Sequence, residues 1–111
     1  MIYLASPYSH DDPKIREERF NKVNKAAASL MSQGLIIFSP ISHTHPIALA
    51  GALPLGWAFW HEYDYEFISM CNKVLVLKLE GWENSIGVNA EIAIAQELCI
   101  EIEYIDDRNV K

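Results

Sequence analysis

The chain has 111 residues, half of them hydrophobic, and a formal net charge of -6. That length suits one domain with a modest core, expected over 1–111. The acidic balance leaves no basic face for long nucleic acid, and no apolar run approaches the ~20 residues that cross a bilayer. No basic leader precedes Ile2-Tyr3-Leu4-Ala5, so a cytoplasmic domain with no signal peptide and no membrane partner is expected. Cys71 and Cys99 lack metal spacing and read as buried, reduced thiols.

Met1–Ala5 reads as a strand and Ser6-Pro7-Tyr8-Ser9 as the turn after it. From Asp12 to Gln33, Ile15, Phe20, Val23, Ala27, Leu30 and Met31 recur at mostly helical spacing. Asp11 or Asp12 can cap this helix, Pro13 suits its first turn, and Gly34 suits its end. Leu35-Ile36-Ile37-Phe38 predicts a second strand, stopped at Ser39-Pro40. Residues 41–56, with two histidines, two prolines and two glycines, read as irregular. A helix follows from about Trp57 to Met70, then a strand over 73–79, a loop over 80–84, a helix over 85–98 and a last strand near Ile100–Ile105.

Strands alternating with helices predict an α/β fold with a small, about four-stranded parallel sheet flanked by helices in three layers. The all-apolar third strand suits a sheet covered on both faces. The last strand alternates Ile100, Ile102 and Tyr104 with Glu101 and Glu103, as a wetted edge does. Ligands of open parallel sheets collect at the carboxyl ends of the strands. Candidate chemistry is therefore confined to residues 6–11, 39–56 and 78–87 and the helices that start there.

The segment Ser85-Ile86-Gly87-Val88-Asn89-Ala90-Glu91 joins a hydroxyl, a glycine and the unpaired amides of a helix start to a carboxylate one turn inside. Helix starts bind anions. Residues 84, 87, 88, 91, 95 and 98 share one helix face, which places Glu91 among Val88, Ala95 and Leu98. Asp64 falls in a second apolar stripe, 57, 60, 61, 64, 67, 68 and 71. A carboxylate on a packing face is costly unless it is paired or looks into a cavity, and two such acids suit glycosidic chemistry. The competing readings are a surface glutamate complementing the helix dipole and an aspartate anchored by a buried tyrosine or arginine.

Tyr3, Ser6, Pro7 and Tyr8 cluster at the end of the first strand, where a phenol can orient a carboxylate or donate to a ligand. Arg16 or Arg19 can clamp a phosphate, or serve as solvated helix residues. His43 and His45 lack the third ligand a zinc site needs, so no metal is expected, and a hydrogen bond to ligand, assigned to His43, is the preferred role. Trp57, Phe59 and Trp60 can stack on a planar base or simply pack. The chain has no P-loop, GxGxxG, GxSxG or CxxC pattern.

Together these residues are similar to a known family. The opening Ile2-Tyr3-Leu4-Ala5-Ser6-Pro7, Gly34 before the second strand, Ser39-Pro40 after it, Asp64 before Cys71-Asn72-Lys73-Val74, and Ser85-Ile86-Gly87 with Glu91 resemble the nucleoside 2-deoxyribosyltransferase superfamily over nearly the whole chain. Within it the chain resembles a compact bacterial group described as a domain of unknown function. The resemblance implies a flavodoxin-like fold, with Glu91 attacking the anomeric carbon, Asp64 handling the base and Tyr3 beside them. The Ser-x-Gly form resembles the nucleotide N-hydrolase branch and implies that Ser85 and Gly87 hold a 5′-phosphate. Ser6, Pro7, Arg19, His43 and Trp60 complete the expected substrate-binding set. Asn72 stands where members often carry aspartate, and Ser6-Pro7 where the hydrolases commonly have glycine.

The expected function is an N-glycosidase or deoxyribosyl transferase acting on a small nucleotide or nucleoside, without cofactor, in a homo-oligomer (dimer or tetramer). The alternative is a non-catalytic nucleotide-binding or sensing domain of the same fold.

Overall fold

A computed structural model describes residues 1–54 and 56–109. The elements run β1 (Ile2–Ala5), α1 (Pro13–Ser32), β2 (Ile37–Phe38), α2 (Pro40–Gly51), α3 (Trp57–Ser69), β3 (Lys73–Leu77), α4 (Ile86–Glu97) and β4 (Glu101–Ile105), with short 3-10 turns at 82–84 and 107–109. The four strands form one parallel sheet in the order β2-β1-β3-β4. This is the flavodoxin-like, three-layer α/β arrangement.

Strand parity divides the core. Leu4, Leu75 and Leu77 point to the side of Val23, Ala27, Leu30 and Ile41 on α1 and α2. Tyr3, Ala5, Val74 and Val76 point to the side of Ile68, Val88 and Ala95 on α3 and α4. Alternate residues of a strand face opposite ways, so both faces of the inner strands are apolar, as a doubly covered sheet requires.

The ends of α1 follow their local chemistry. The Asp12 carboxylate accepts from the Lys14 amide at 2.9 Å and Pro13 opens the helix. At the other end Gly34 sits at φ +92°, with Gly34 N–H donating to Met31 and Leu35 N–H to Leu30, the paired bonds of a Schellman termination. Ala26 is buried in this helix, whereas Met31 is half exposed.

Three sequence expectations are corrected. Residues 40–51 form α2 rather than irregular chain. Pro46 removes an amide that helices normally need, but Pro40 opens the helix and Ile41, His45 and Ala48 form a buried stripe that holds it to the body. Second, β2 is two residues long; Ile36, expected inside it, is 72% exposed. Third, Cys71 is buried but Cys99 is exposed, in a left-handed turn (φ 57°) after α4. β4 is the expected edge, and Lys73 on β3 reaches its Glu101 at 3.5 Å and Glu103 at 2.7 Å.

The loop after β3 turns back at Gly81, whose φ is +88°. A Cβ there would meet Arg19 Nη2 at 2.9 Å, and that guanidinium donates to the carbonyls of Ser9 (2.9 Å) and Glu80 (3.3 Å). Arg19 thus ties the loop after β1 to the loop after β3. Gly81→Ala should cost about 1–2 kcal/mol, from the left-handed backbone and the displaced arginine. Urea unfolding measures it; an unchanged midpoint would show that the loop relaxes freely.

Candidate active site

A cavity of about 300 Å³ opens at the carboxyl ends of β1 and β3, the point where the chain leaves the sheet in opposite directions and where such folds bind ligands. Its walls come from the loop after β1 (Ser6, Tyr8, Ser9), from α2 (Ile41, Thr44, His45, Ala48), from α3 (Trp57, Trp60, Asp64), and from the start of α4 (Ser85, Gly87, Glu91).

Glu91 is 5% exposed, on the packed face of α4 between Val88 and Ala95. Its Oε2 accepts a hydrogen bond from the hydroxyl of Tyr3, which is fully buried. Tyr3 is the second residue of β1, and its parity directs it toward α3 and α4. Asp64, half-buried on α3, interacts with the same hydroxyl. The Ser85 hydroxyl caps α4 by accepting from the Val88 amide at 3.2 Å, while the first helical bond to a backbone carbonyl runs from Asn89 to Ser85. The amides of Ile86 and Gly87 precede that bond, where helix N-terminal donors are available to an anion.

The other expected residues divide. Ser6, Trp60, Ser85 and Gly87 lie on the cavity wall. The Trp60 Nε1 donates to the Pro54 carbonyl at 2.7 Å, which fixes its indole. Pro7 is buried beneath the wall rather than on it. Arg19 is occupied with the two carbonyls named above, and His43 is exposed beside Phe38 and Phe67. His45, two residues on, is the histidine that reaches the cavity. It follows Ile41 by four residues, so a helical reading of 40–51 would have placed it inside.

A family model described as a domain of unknown function (DUF1937) matches residues 1–103. The chain belongs to that family. A comparison with curated proteins found no match. The match covers every cavity-lining residue of this DUF1937 domain. Among its described residues no helix is long and apolar enough to cross a membrane.

Burial dominates the electrostatics of the DUF1937 site. It raises Glu91 well above an ordinary carboxyl, the Asp64 charge raises it further, and the Tyr3 hydrogen bond offsets part of this. Asp64 is raised to about 6, again chiefly by burial, with Tyr3 and His61 opposing. Burial, then Glu91 and Asp64, push the Tyr3 phenol well up, so it keeps its proton. One phenol proton serves one carboxylate, and a second carboxyl beside it must carry its own proton to bond the phenol oxygen. The pair therefore titrates as a unit and holds one proton between its two steps.

Groups raised by folding add stability below their ordinary values and lose it as pH climbs through the raised ones. Wild-type melting temperature should therefore fall from about pH 5 toward pH 8. Asp64→Asn and Glu91→Gln should melt higher than wild type at pH 8 and converge with it near pH 4. For Asp64 a rise from 3.8 to about 6 corresponds to about 3 kcal/mol. Parallel melting curves across this range for wild type and both variants would contradict the buried, coupled pair.

Proposed function

We propose that this domain is an N-glycosidase acting on a small nucleotide or nucleoside. The observation that carries the reading is Glu91, buried, bonded to Tyr3 and coupled to Asp64 on the wall of a cavity at a helix start. The resemblance to the nucleoside 2-deoxyribosyltransferase superfamily supports the same assignment of Glu91, Asp64 and Tyr3.

Burial favours the single proton of the pair on Glu91, so substrate binding must first move it to Asp64. Glu91 as carboxylate then attacks the anomeric carbon while Asp64 as acid gives that proton to the departing base. The carbon–nitrogen bond breaks as an ester to Glu91 forms. Water then attacks the same carbon, Asp64 takes its proton, and Glu91 is released. A second sugar-accepting base in place of water would make the step a transfer. Ser85, Gly87 and the first amides of α4 suit a 5′-phosphate, and Trp57 and Trp60 suit a stacked base. These steps require no metal or organic cofactor.

Glu91→Ala should lower base release from a panel of nucleoside 5′-monophosphates at least a thousandfold, read by chromatography of the free bases. The wild-type rate should be bell-shaped in pH. Its acid limb lies near 6, where the pair first becomes singly protonated, and its alkaline limb marks loss of the remaining proton; Asp64→Asn should remove the alkaline limb. Turnover unchanged in Glu91→Ala would exclude Glu91 as nucleophile, and binding without base release would favour a sensing domain.

The proposed assembly is a homo-oligomer. On α3, Phe59 and Tyr63 are exposed with their rings stacked at 6.4 Å, an apolar surface of the kind that partners cover. Light scattering should give a dimer or tetramer; a monomer at all concentrations would count against it.

A further inference from the structure

The cavity holds a second polar constellation that the glycosidic steps do not use. Tyr8, after β1, hydrogen-bonds through its hydroxyl to His45 Nδ1 on α2. His45 Nε2 lies 2.9 Å from Glu17 Oε2 on α1. His45 is buried, 4% exposed, with its ring against Phe20 at 4.3 Å between centroids. Glu17 is largely in solvent, its side chain 54% exposed. Tyr8 and His45 both line the cavity, and so does Ser6. Ser6 is 5% exposed, and its hydroxyl has no hydrogen-bond partner among the described residues.

The donor and acceptor roles along this chain follow from chemistry. An ionised carboxylate only accepts, so His45 Nε2 carries the proton that faces Glu17. A neutral imidazole then has a bare Nδ1, and the Tyr8 hydroxyl must donate to it. The single Tyr8 proton is thereby engaged, and only lone pairs of its oxygen remain for another partner. Ser6, by contrast, has a proton and two lone pairs unused.

We propose that Tyr8 and Ser6 form a hydroxyl-recognition subsite, with His45 and Glu17 as positioning residues that hold Tyr8 in its accepting state. An alcohol is the ligand group that fits, because it can donate to Tyr8 and accept from Ser6 at once. A protonated amine can do only the first, and an ionised phosphate oxygen only the second. On the glycosidase reading, on which this assignment rests, the alcohol is a sugar hydroxyl of the nucleotide.

Two measurements test the subsite on the whole chain. Long-range proton–nitrogen NMR of the imidazoles should show His45 protonated at Nε2 and bare at Nδ1 at pH 8, with Glu17→Ala mixing the two tautomers. A wild-type His45 protonated at Nδ1 alone would overturn the relay whether or not any ligand binds. Calorimetry should then show ribonucleoside 5′-monophosphates binding at least about tenfold more tightly than their 2′,3′-dideoxy counterparts, as expected when the bonds to Tyr8 and from Ser6 are both lost. Tyr8→Phe should narrow that difference severalfold. Glu91-dependent base release with equal affinity for both series would overturn the subsite and leave the glycosidase standing. Hydroxyl-dependent binding without base release would support the subsite and overturn the glycosidase, and failure of every probe to bind would overturn both.

Discussion

The hydrogen bond from Tyr3 to Glu91 is the constraint around which the rest of the site is arranged. It joins the first strand to the last helix, 88 positions apart in sequence, and exists only because β1 lies beside β3 in a parallel sheet. Had β1 entered the sheet one residue out of register, Tyr3 would face α1 and α2 and Leu4 would meet Glu91. The apolar alternation of β1 and β3 therefore fixes the register and, with it, the position of the phenol that the two carboxylates share. Leu4, Leu75 and Leu77 on one face and Ala5, Val74 and Val76 on the other all press toward the same alignment.

The same parity explains how the cavity acquires two unlike polar groups. Asp64 and Glu91, with Tyr3 behind them, come from the α3–α4 face of the sheet, and His45, with Glu17 behind it, from the α1–α2 face. Asp64, Glu91 and His45 meet the same space because the chain, after Ala5, runs past the end of the sheet through Ser6 and Tyr8 before turning into α1. Arg19 holds that run in place by bonding Ser9 on one side and Glu80 on the other. It was a candidate phosphate clamp in the sequence; its place in the structure is to join two loops of the cavity rim.

Much of this was legible in the sequence where one local signal dominated. Helix spacing placed Glu91 and Asp64 on inward stripes, and Asp12, Pro13 and Gly34 bounded α1 as their chemistry dictates. The sheet's carboxyl end was legible from element order alone. The failure lay at 40–51, where two prolines and two histidines mask a helix whose stability comes from burial of Ile41, His45 and Ala48 rather than from propensity. Tertiary packing overrode the local signal there. That one error carried His43 into the expected site in place of His45, since only a helix puts residue 45 on the buried stripe. The pairing of Tyr8 with Glu17 through His45 could not be read, because it joins three segments whose spacing in sequence carries no signal.

What distinguishes the cavity from the remaining core is that its residues run against the rule that governs the others. Elsewhere the buried side chains are mostly apolar; the exceptions are small hydroxyls, Ser39, bonded to Ser42, and Ser29 on α1. Here two carboxyls are held above their ordinary range by burial, and the buried Ser6 hydroxyl has no partner among the described residues. A histidine is also enclosed against an aromatic ring. An unsatisfied buried hydroxyl costs about 1–3 kcal/mol, and each raised carboxyl costs stability at neutral pH. A 111-residue domain has only about ten kcal/mol in all to set against such costs, on the order of 0.1 kcal/mol per residue. Departures of this size, gathered at the end of the sheet where this fold binds ligands, are what a site preorganised for a polar ligand requires. A ligand that satisfies Ser6 and exchanges a proton with the Glu91–Asp64 pair would remove several of these costs at once, so occupancy of the cavity and stability of the fold are linked.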